Sequence, residues 1–210
     1  MKTKASNAGY AQEAEDLLRR YEAFSFEEVH EPVLHLLPEK PSRVLELGAG
    51  TGRDAAAFAR LGHKVTAVEP TAELRMPSMS LHPDPAIEWI GDSLPSLATL
   101  KHRSAVYDLI MLTAVWMHLD EAERKEGMGV LARLAAPGAK IIFLLRHGPV
   151  PDGRRMFNVS GEETAALAEP YGLNTIFSTR HGALSEANQK AGVTWTRLVI
   201  AKPELTPPGK

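Results

Sequence analysis

The feature that most constrains this chain is a short apolar run that leads into three glycines at alternate positions. The run, residues 44–47, contains Glu46 and continues into Gly48, Gly50 and Gly52, after which a helical pattern begins. This arrangement predicts a buried parallel strand, a glycine loop and a helix that starts where the loop ends. Glycines lack a Cβ atom, so the loop can turn tightly and a ligand can approach its backbone. The free N–H groups of the helix N-terminus suit the polar tail of a nucleotide-like cofactor.

The spacing of the glycines leaves two classes of cofactor to compare. A dinucleotide-binding loop reads G-x-G-x-x-G, and Arg53 stands where that motif needs its third glycine. Glu46, two residues before the first glycine, is a further difference from that motif. A glycine loop by itself is also compatible with a strand-to-helix turn that binds nothing. The interpretation therefore depends on the residues at the ends of the later strands.

Four stretches together resemble one family. The run from Val44 to Asp54 resembles the first motif of the class I S-adenosylmethionine-dependent methyltransferases. Gly91-Asp92, Tyr107–Met111 and Leu134–Ala139 resemble later motifs of the same family, in the same order. The resemblance covers roughly residues 40 to 150, and more loosely the rest of the chain. It implies S-adenosylmethionine as the cofactor and S-adenosylhomocysteine as the product.

Composition narrows the class of protein. A chain of 210 residues with 44% apolar and 24% charged residues is long enough for one globular domain with a sizeable core. Its net charge of −2 argues against nonspecific binding of nucleic acid or acidic lipid. The absence of cysteine excludes disulfides, thiolate catalysis and cysteine–zinc sites. No apolar run has transmembrane length and the N-terminus does not read as a signal peptide, so we expect a cytoplasmic protein.

Strand and helix patterns alternate five times along the chain, and two strands then follow each other. The predicted strands are residues 43–47, 64–69, 86–90, 107–113, 140–145, 173–179 and 194–201. The predicted helices are two within residues 10–37, then 54–61, a short one from Thr71 to Pro77, one from Pro95, 120–136 and 160–171. Ser25 and Glu28 form a predicted capping box at the second helix, Asp120 is the predicted N-cap of the helix 120–136, and a polar loop is predicted between the last two strands. Alternation predicts a doubly wound parallel sheet, and the closing pair without a helix between them must be antiparallel.

The predicted fold class is therefore α/β: a Rossmann-like doubly wound sheet of seven strands, with helices on both faces and the last strand antiparallel. The family resemblance implies the same seven strands. We expect residues 1–40 to form an N-terminal helical cap and residues 41–210 to form the cofactor-binding domain, as a single globular unit. In the family that the chain resembles, such a cap often covers the cofactor and shapes the acceptor pocket.

Ligands in open α/β sheets bind outside the carboxyl ends of the strands. Glu69 ends the second strand, where a carboxylate can accept both hydroxyls of a ribose, although nicotinamide cofactors would use such an acid equally well. Asp92 ends the third strand, where it can accept an adenine amino group or cap the following helix. The predicted cofactor-binding residues are Glu46, Gly48, Ala49, Gly50, Gly52, Asp54, Glu69, Pro70, Asp92, Ser93, Leu94 and Thr113.

The segment after the fourth strand bears on the methyl acceptor. It lacks the Asn-Pro-Pro-aromatic run typical of enzymes that methylate bases and amides, which favours a small-molecule acceptor over DNA. His118 is the candidate general base, with a structural role in the loop as the alternative. Trp116 either lines the adenine or acceptor pocket or belongs to the core. No third ligand accompanies His118 and Asp120, so no metal site is predicted.

Basic residues follow the fifth strand. Arg146, His147, Arg154 and Arg155 are predicted to bind the acceptor, and three guanidiniums near one site would favour a carboxylate or phosphate. The alternative is that Arg154 and Arg155 are a solvated pair and that Arg146 bridges to a nearby acid.

The favoured function is S-adenosylmethionine-dependent methylation of a small molecule. Two other functions stay open at this point: a nicotinamide-dependent oxidoreductase, and a regulatory protein that binds S-adenosylmethionine without catalysis. The missing third glycine and the lack of a separate substrate domain disfavour the oxidoreductase.

Overall fold

The computed structural model describes residues 6–103 and 107–204, which are organised around a seven-stranded sheet. The strands are β1 (Arg43–Leu47), β2 (Lys64–Val68), β3 (Ile87–Ile90), β4 (Tyr107–Thr113), β5 (Ala135–His147), β6 (Asn174–Gly182) and β7 (Thr194–Ala201). Their spatial order is β3-β2-β1-β4-β5-β7-β6, and β7 runs antiparallel to both of its neighbours. The predicted doubly wound sheet with an antiparallel last strand is confirmed.

Seven α-helices of the described residues surround this sheet. They are α1 (Ala14–Glu22), α2 (Phe26–His30), α3 (Arg53–Arg60), α4 (Ala72–Leu81), α5 (Glu121–Leu134), α6 (Gly161–Ala168) and α7 (Glu186–Lys190). Short 3-10 turns add Ala11–Glu13, Glu31–Leu36, Ala98–Leu100, Trp116–His118 and Glu169–Tyr171. Within the described ranges, no helix combines the length and the apolar character that spanning a membrane requires.

The central strands are apolar on both faces because helices cover both faces of the sheet. Leu45 and Ile110 belong to the core on one face, whereas Val44, Leu109 and Ile142 belong to the core on the other. Successive strand residues point to opposite faces, so the alternation follows directly from strand geometry. The carboxyl ends of the parallel strands meet at one edge, where the sheet receives its ligands.

Two helix predictions were wrong. No helix begins at Pro95; the described chain forms only the turn Ala98–Leu100, preceded by Leu97 with a left-handed φ of 44°. Helix α4 does not end at Pro77 but continues to Leu81. The Ser78 hydroxyl donates to the carbonyl of Gly50 at 3.0 Å, so the continued helix is attached to the glycine loop.

The last part of the chain also differs from its prediction. Helix α7 lies in the connection between β6 and β7, which was predicted to be a polar loop. Strand β5 extends past its predicted end because it pairs with β7 as far as His147, opposite Thr194. It also begins at Ala135 instead of Lys140, where Ala135 pairs with Tyr107 of β4. Antiparallel pairing with a distant strand is a tertiary effect that the local apolar run does not reveal.

The N-terminal segment packs over the sheet edge. The predicted capping box of α2 is present: Ser25 and Glu28 exchange hydrogen bonds of 2.8 and 3.1 Å. Phe26 of α2 contacts the ring of Phe58 in α3 edge-on, with ring centroids 5.0 Å apart. Helix α1 lies against α4 through Leu17 and a few neighbouring apolar residues.

The segment after β5 is held against α5 by buried charge. Arg155 is largely buried, and its Nη2 lies 2.8 Å from carboxylate oxygens of both Asp120 and Glu123. Asp120 is also the N-cap of α5 and accepts the Glu123 N–H at 2.9 Å. The carboxylate of Asp120 therefore caps helix α5 and also partly neutralises the buried guanidinium of Arg155.

We expect Asp120→Ala to lower the free energy of unfolding by about 2 kcal/mol, roughly half from the lost cap and half from the weakened pairing of Arg155. Ser160→Ala is the matched control, because Ser160 caps α6 by accepting the Glu163 N–H at 3.0 Å without serving a buried cation. It should cost about 1 kcal/mol. Urea unfolding of the wild type and both variants measures the difference, and equal losses in the two variants would contradict the double role of Asp120.

Candidate functional site

A cavity of about 520 Å³ opens at the carboxyl ends of the strands. Its volume lies within the range of small-molecule and cofactor sites. Eleven of the twelve predicted cofactor-binding residues line it: Glu46, Gly48, Ala49, Gly50, Asp54, Glu69, Pro70, Asp92, Ser93, Leu94 and Thr113. The sheet topology therefore brings residues from four separate stretches of sequence to one site.

The glycine loop requires glycine at each alternate position. Gly48, Gly50 and Gly52 have φ values of 69°, 56° and 78°, which side-chain-bearing residues rarely adopt. A Cβ atom on Gly48 would lie 2.4 Å from Val115. Gly52, however, is the N-cap of α3 and faces the ring of Trp89 instead of the cavity, so its prediction as a lining residue was wrong.

Glu69 joins the end of β2 to the glycine loop. Its side chain is 5% exposed, and its two oxygens accept the N–H groups of Gly50 at 2.9 Å and Thr71 at 2.8 Å. Burial raises the pKa of Glu69, and these two amides oppose that effect. A carboxylate has about four lone-pair positions, so acceptor capacity remains on the side that faces the cavity.

Two further acids differ sharply in their surroundings. Asp54 accepts from His30 Nε2 at 2.7 Å and from Arg53 Nη2 at 2.7 Å; although burial alone would raise its pKa, these two neighbours hold it below the usual range. Glu46 is 2% exposed, and its Oε2 has no hydrogen-bond partner among the described residues. Burial, followed by the charge of Asp54, raises the pKa of Glu46 well above its usual value. An unpaired buried carboxyl of this kind suits a cationic ligand group.

Asp92 lines the cavity but already has backbone partners. Its carboxylate oxygens accept the N–H groups of Ser93 and Thr99, each at 2.7 Å. Asp92 therefore does cap backbone N–H groups, as the alternative prediction held. Those groups belong to a loop and not to the start of a helix. Ser93 and Leu94 also line the cavity, next to Asp92.

His118 lines the cavity and holds the loop at the same time. Its Nδ1 lies 2.7 Å from the carbonyl oxygen of Arg155, which can only accept, so Nδ1 carries a proton. In the neutral ring, Nε2 then accepts from the hydroxyl of Tyr10 at 3.0 Å. Burial lowers the pKa of His118, and the charges of Arg154 and Arg146 lower it further. The imidazole is therefore neutral near pH 7, with its lone pair directed at Tyr10.

Trp116 and His147 were predicted to bind the acceptor. Both predictions were wrong because the two side chains point away from the cavity. Trp116 is fully buried and packs edge-on against Phe143, so it belongs to the core. His147 lies on the opposite face of β5 from Arg146, as strand alternation requires, and pairs with Thr196 at 2.8 Å.

The arginines after β5 separate into different roles. Arg155 is neutralised by the two acids of α5 and does not line the cavity, so its assignment to the acceptor site was wrong. Arg154 lines the cavity but pairs with Glu13 at 2.8 Å and stacks on the ring of Tyr10 at 3.8 Å. Neither is part of a solvated pair, since both side chains are buried. Arg146 lines the cavity and donates to the carbonyl of Pro149 at 2.7 Å.

Sequence reasoning missed several lining residues. Tyr10 and Tyr21 come from the N-terminal segment, whereas Trp195 and Arg197 come from β7. A single arginine inside the otherwise apolar strand of residues 195–201 was the available signal for Arg197. Within the described ranges, no group of three or more His, Asp or Glu residues could hold a metal ion.

Solved structures share this fold over most of the chain. A 1,6-didemethyltoxoflavin-N1-methyltransferase of Burkholderia thailandensis, with bound 1,6-didemethyltoxoflavin and S-adenosylhomocysteine, is 20% identical; the match covers 97% of this chain and 93% of that one, with a TM-score of 0.67. The N-methyltransferase NodS of Bradyrhizobium japonicum, in complex with S-adenosylhomocysteine, is 18% identical, with 92% and 98% coverage and a TM-score of 0.69. At these identities the likeness shows the fold.

Sequence comparison identifies the family. A curated relative, an uncharacterized methyltransferase of Geobacillus kaustophilus, is 27% identical over 136 residues, which are 64% of this chain and 57% of that protein. The chain thus spans little more than half the length of this relative. The model of a methyltransferase domain family matches residues 19–196. The chain therefore belongs to this methyltransferase family, and its resemblance to the class I S-adenosylmethionine-dependent enzymes is confirmed.

Proposed function

We propose that this protein transfers a methyl group from S-adenosylmethionine to a small-molecule acceptor. The observation that carries the proposal is the continuity of the cavity. One end is formed by the glycine loop and Glu69, and the other by residues of β5 and β7 that no cofactor loop requires. Two ligands can therefore meet inside one cavity, as a displacement reaction needs. The family favours this function over the nicotinamide-dependent alternative.

The residues of the first end fit this cofactor. Glu69 has acceptor capacity left for the ribose hydroxyls, and the unpaired Glu46 suits the ammonium group of the methionine portion. The backbone of the glycine loop can lie close to that portion. Asp92 keeps acceptor capacity beside its two backbone partners and can accept from the adenine amino group. When bound, the cofactor supplies an electrophilic methyl group on a sulfonium.

The N-terminal segment supports a small acceptor. Tyr10, Leu17 and Tyr21 line the cavity from the side opposite the sheet, so they form a roof over the space between the two ends. Arg53 fixes this roof to the glycine loop by donating to the carbonyl of Tyr21 at 3.0 Å. An acceptor must fit beneath the roof, which limits the access of water to the reacting atoms.

His118 is the proposed general base. Its neutral ring contacts Tyr10, and both line the cavity, so a proton released by the acceptor can reach Nε2 directly or through the Tyr10 hydroxyl. Arg155 holds the opposite nitrogen and fixes the orientation of the ring. The low pKa keeps the base unprotonated at neutral pH.

The first test measures cofactor binding. Calorimetric titration of the wild type should show S-adenosylmethionine and S-adenosylhomocysteine binding and no NAD binding. Glu69→Ala should weaken binding of S-adenosylhomocysteine by about 2–3 kcal/mol, because charge-assisted hydrogen bonds to ribose are lost. Glu88→Ala is the matched control, since Glu88 lies on neighbouring β3 and pairs with Arg103 outside the cavity.

A Glu69 variant with unchanged affinity, or a wild type that binds only NAD, would refute the cofactor assignment. A radiolabelled methyl group should then be transferred to members of an acceptor library. Tight cofactor binding with no transfer to any acceptor would support a regulatory protein instead of an enzyme.

The second test concerns His118. The pKa of its ring, followed by NMR of histidine-labelled protein, should lie below about 6.5. It should rise in Tyr10→Phe, because the Tyr10 hydroxyl donates to the neutral ring and must reorient to accept from the protonated one. His118→Gln identifies the signal, and Tyr171→Phe is the control, since Tyr171 is exposed and does not line the cavity. A pKa at or above the ordinary value, or one that Tyr10→Phe leaves unchanged, would remove the proposed base.

A further inference from the structure

We propose that Arg197 binds the carboxylate of the methyl acceptor, so that the substrate is a carboxylic acid with an apolar body. This inference rests on the proposed function and names the substrate class of the same site. It depends on where Arg197 lies, on its lack of a partner, on its distance from the cofactor end and on the character of the surrounding walls.

Arg197 lies in the middle of β7, inside the second end of the cavity. In the register of the sheet it stands opposite Leu144 of β5, two residues from the Trp195–Arg146 pair. Residues that face each other across antiparallel strands share a face, as do residues two apart. Leu144, Arg146, Trp195 and Arg197 accordingly all line the cavity.

The guanidinium of Arg197 is buried and incompletely paired, although the charge of Asp54 acts on it. The side chain is 1% exposed, and its Nε and Nη1 have no hydrogen-bond partner in the part of the chain that the structure describes. Burial lowers the pKa of Arg197 to about 10, so the group still carries its charge at neutral pH. A buried, unpaired cation is costly for the fold, and arginine is depleted at such positions unless something neutralises it.

The acid whose charge acts on Arg197 is Asp54, and it already has partners. Both carboxylate oxygens of Asp54 are taken, by Arg53 on one side and by His30 and Thr113 on the other. Arg154, a further arginine that lines the cavity, pairs with Glu13. A ligand can therefore supply the hydrogen-bond acceptors that Arg197 lacks among the described residues, and guanidinium matches a carboxylate in charge and in bidentate geometry.

The position of β7 assigns this ligand to the acceptor. Strands β4 and β5 separate β7 from β1, so the two strand axes are about 14 Å apart at a spacing of roughly 4.8 Å. Glu69 and Asp92 follow β2 and β3, which are farther away on the opposite side of β1. Glu69 and Asp92 thus lie in one half of the sheet edge, and Arg197 lies in the other half, on the side of Thr113 and Asp54.

The apolar walls of the cavity define the rest of the ligand. Val29 of α2, Leu184 before α7, Leu144 and Trp195 line the same cavity as Arg197, together with polar residues such as Thr113 and His181. A buried cation in a cavity with such walls favours a monoanion whose remaining surface is apolar or aromatic. The Arg146 side chain, whose only hydrogen bond within the described residues is to the carbonyl of Pro149, is available for a second polar group.

The experiment measures binding of three acids and their amides by calorimetry: benzoate, phenylacetate and cinnamate, against benzamide, phenylacetamide and cinnamamide. The protein is saturated with S-adenosylhomocysteine, whose own affinity is recorded first. At least one acid should bind about tenfold or more tightly than its amide. Arg197→Met should abolish this preference without changing the affinity for S-adenosylhomocysteine. Arg197→Lys keeps the charge but loses the bidentate geometry, so it should retain part of the preference for an acid over its amide. This variant also provides the test if Arg197→Met fails to fold.

A stability measurement separates binding from a structural role. Arg197→Met should raise the thermal unfolding midpoint of the free protein, because it removes a buried unpaired charge. Arg180→Met is the matched control, since Arg180 lies on adjacent β6, is exposed and does not line the cavity; it should change neither the acid preference nor the affinity for S-adenosylhomocysteine. A lower midpoint in Arg197→Met would indicate that the arginine supports the fold.

The outcomes distinguish this inference from the proposed function. If S-adenosylhomocysteine binds and no acid binds more tightly than its amide, the assignment of Arg197 is overturned and the methyltransferase proposal stands. If Arg197→Met weakens S-adenosylhomocysteine instead, the guanidinium serves the cofactor and the acceptor assignment is wrong. If S-adenosylhomocysteine does not bind the wild type, the proposed function itself fails, whatever the acids do.

Discussion

The hydrogen bond from the Gly50 N–H to the carboxylate of Glu69 is the contact on which the site depends. It joins the loop after β1 to the end of β2, and the same carboxylate accepts the Thr71 N–H just before α4. Ser78 of α4 then donates back to the Gly50 carbonyl. The backbone N–H and carbonyl of Gly50 are therefore both hydrogen-bonded. Glycines allow the left-handed conformation of this loop, and these two hydrogen bonds hold it in place.

Buried charge fixes the N-terminal segment over that loop. Asp54, at the start of α3, binds His30 of α2 and Arg53, and Arg53 also reaches the carbonyl of Tyr21. These contacts are made in a region of low dielectric, where an unpaired member would be costly. Among the described residues that line the cavity, Glu46, Arg154 and Arg197 retain unpaired buried atoms. Arg154 still has an ion pair with Glu13.

Several parts of the molecule follow from local sequence. The boundaries of β1, β4 and β7 were predicted to the residue, because each is a buried apolar run bounded by polar or turn residues. The capping box at Ser25 and the N-cap at Asp120 were predicted for the same reason, since a cap and its partner lie three residues apart. The end of a parallel strand also predicts which residues reach the ligand edge, and Glu46, Glu69 and Asp92 do line the cavity.

The sequence by itself determined the sheet, its closing antiparallel strand and the cofactor end of the cavity, since these depend on periodicity, glycine spacing and strand ends. The tertiary structure alone decided the acceptor end. Arg155 and Arg197 carry the same guanidinium, yet one forms ion pairs with Asp120 and Glu123 and the other has no ion pair among the described residues. Charge pairing depends on which distant side chains arrive at a buried position, and spacing along the chain carries no information about that. For the same reason, Trp116 could not be assigned to core or pocket until Phe143 was placed beside it.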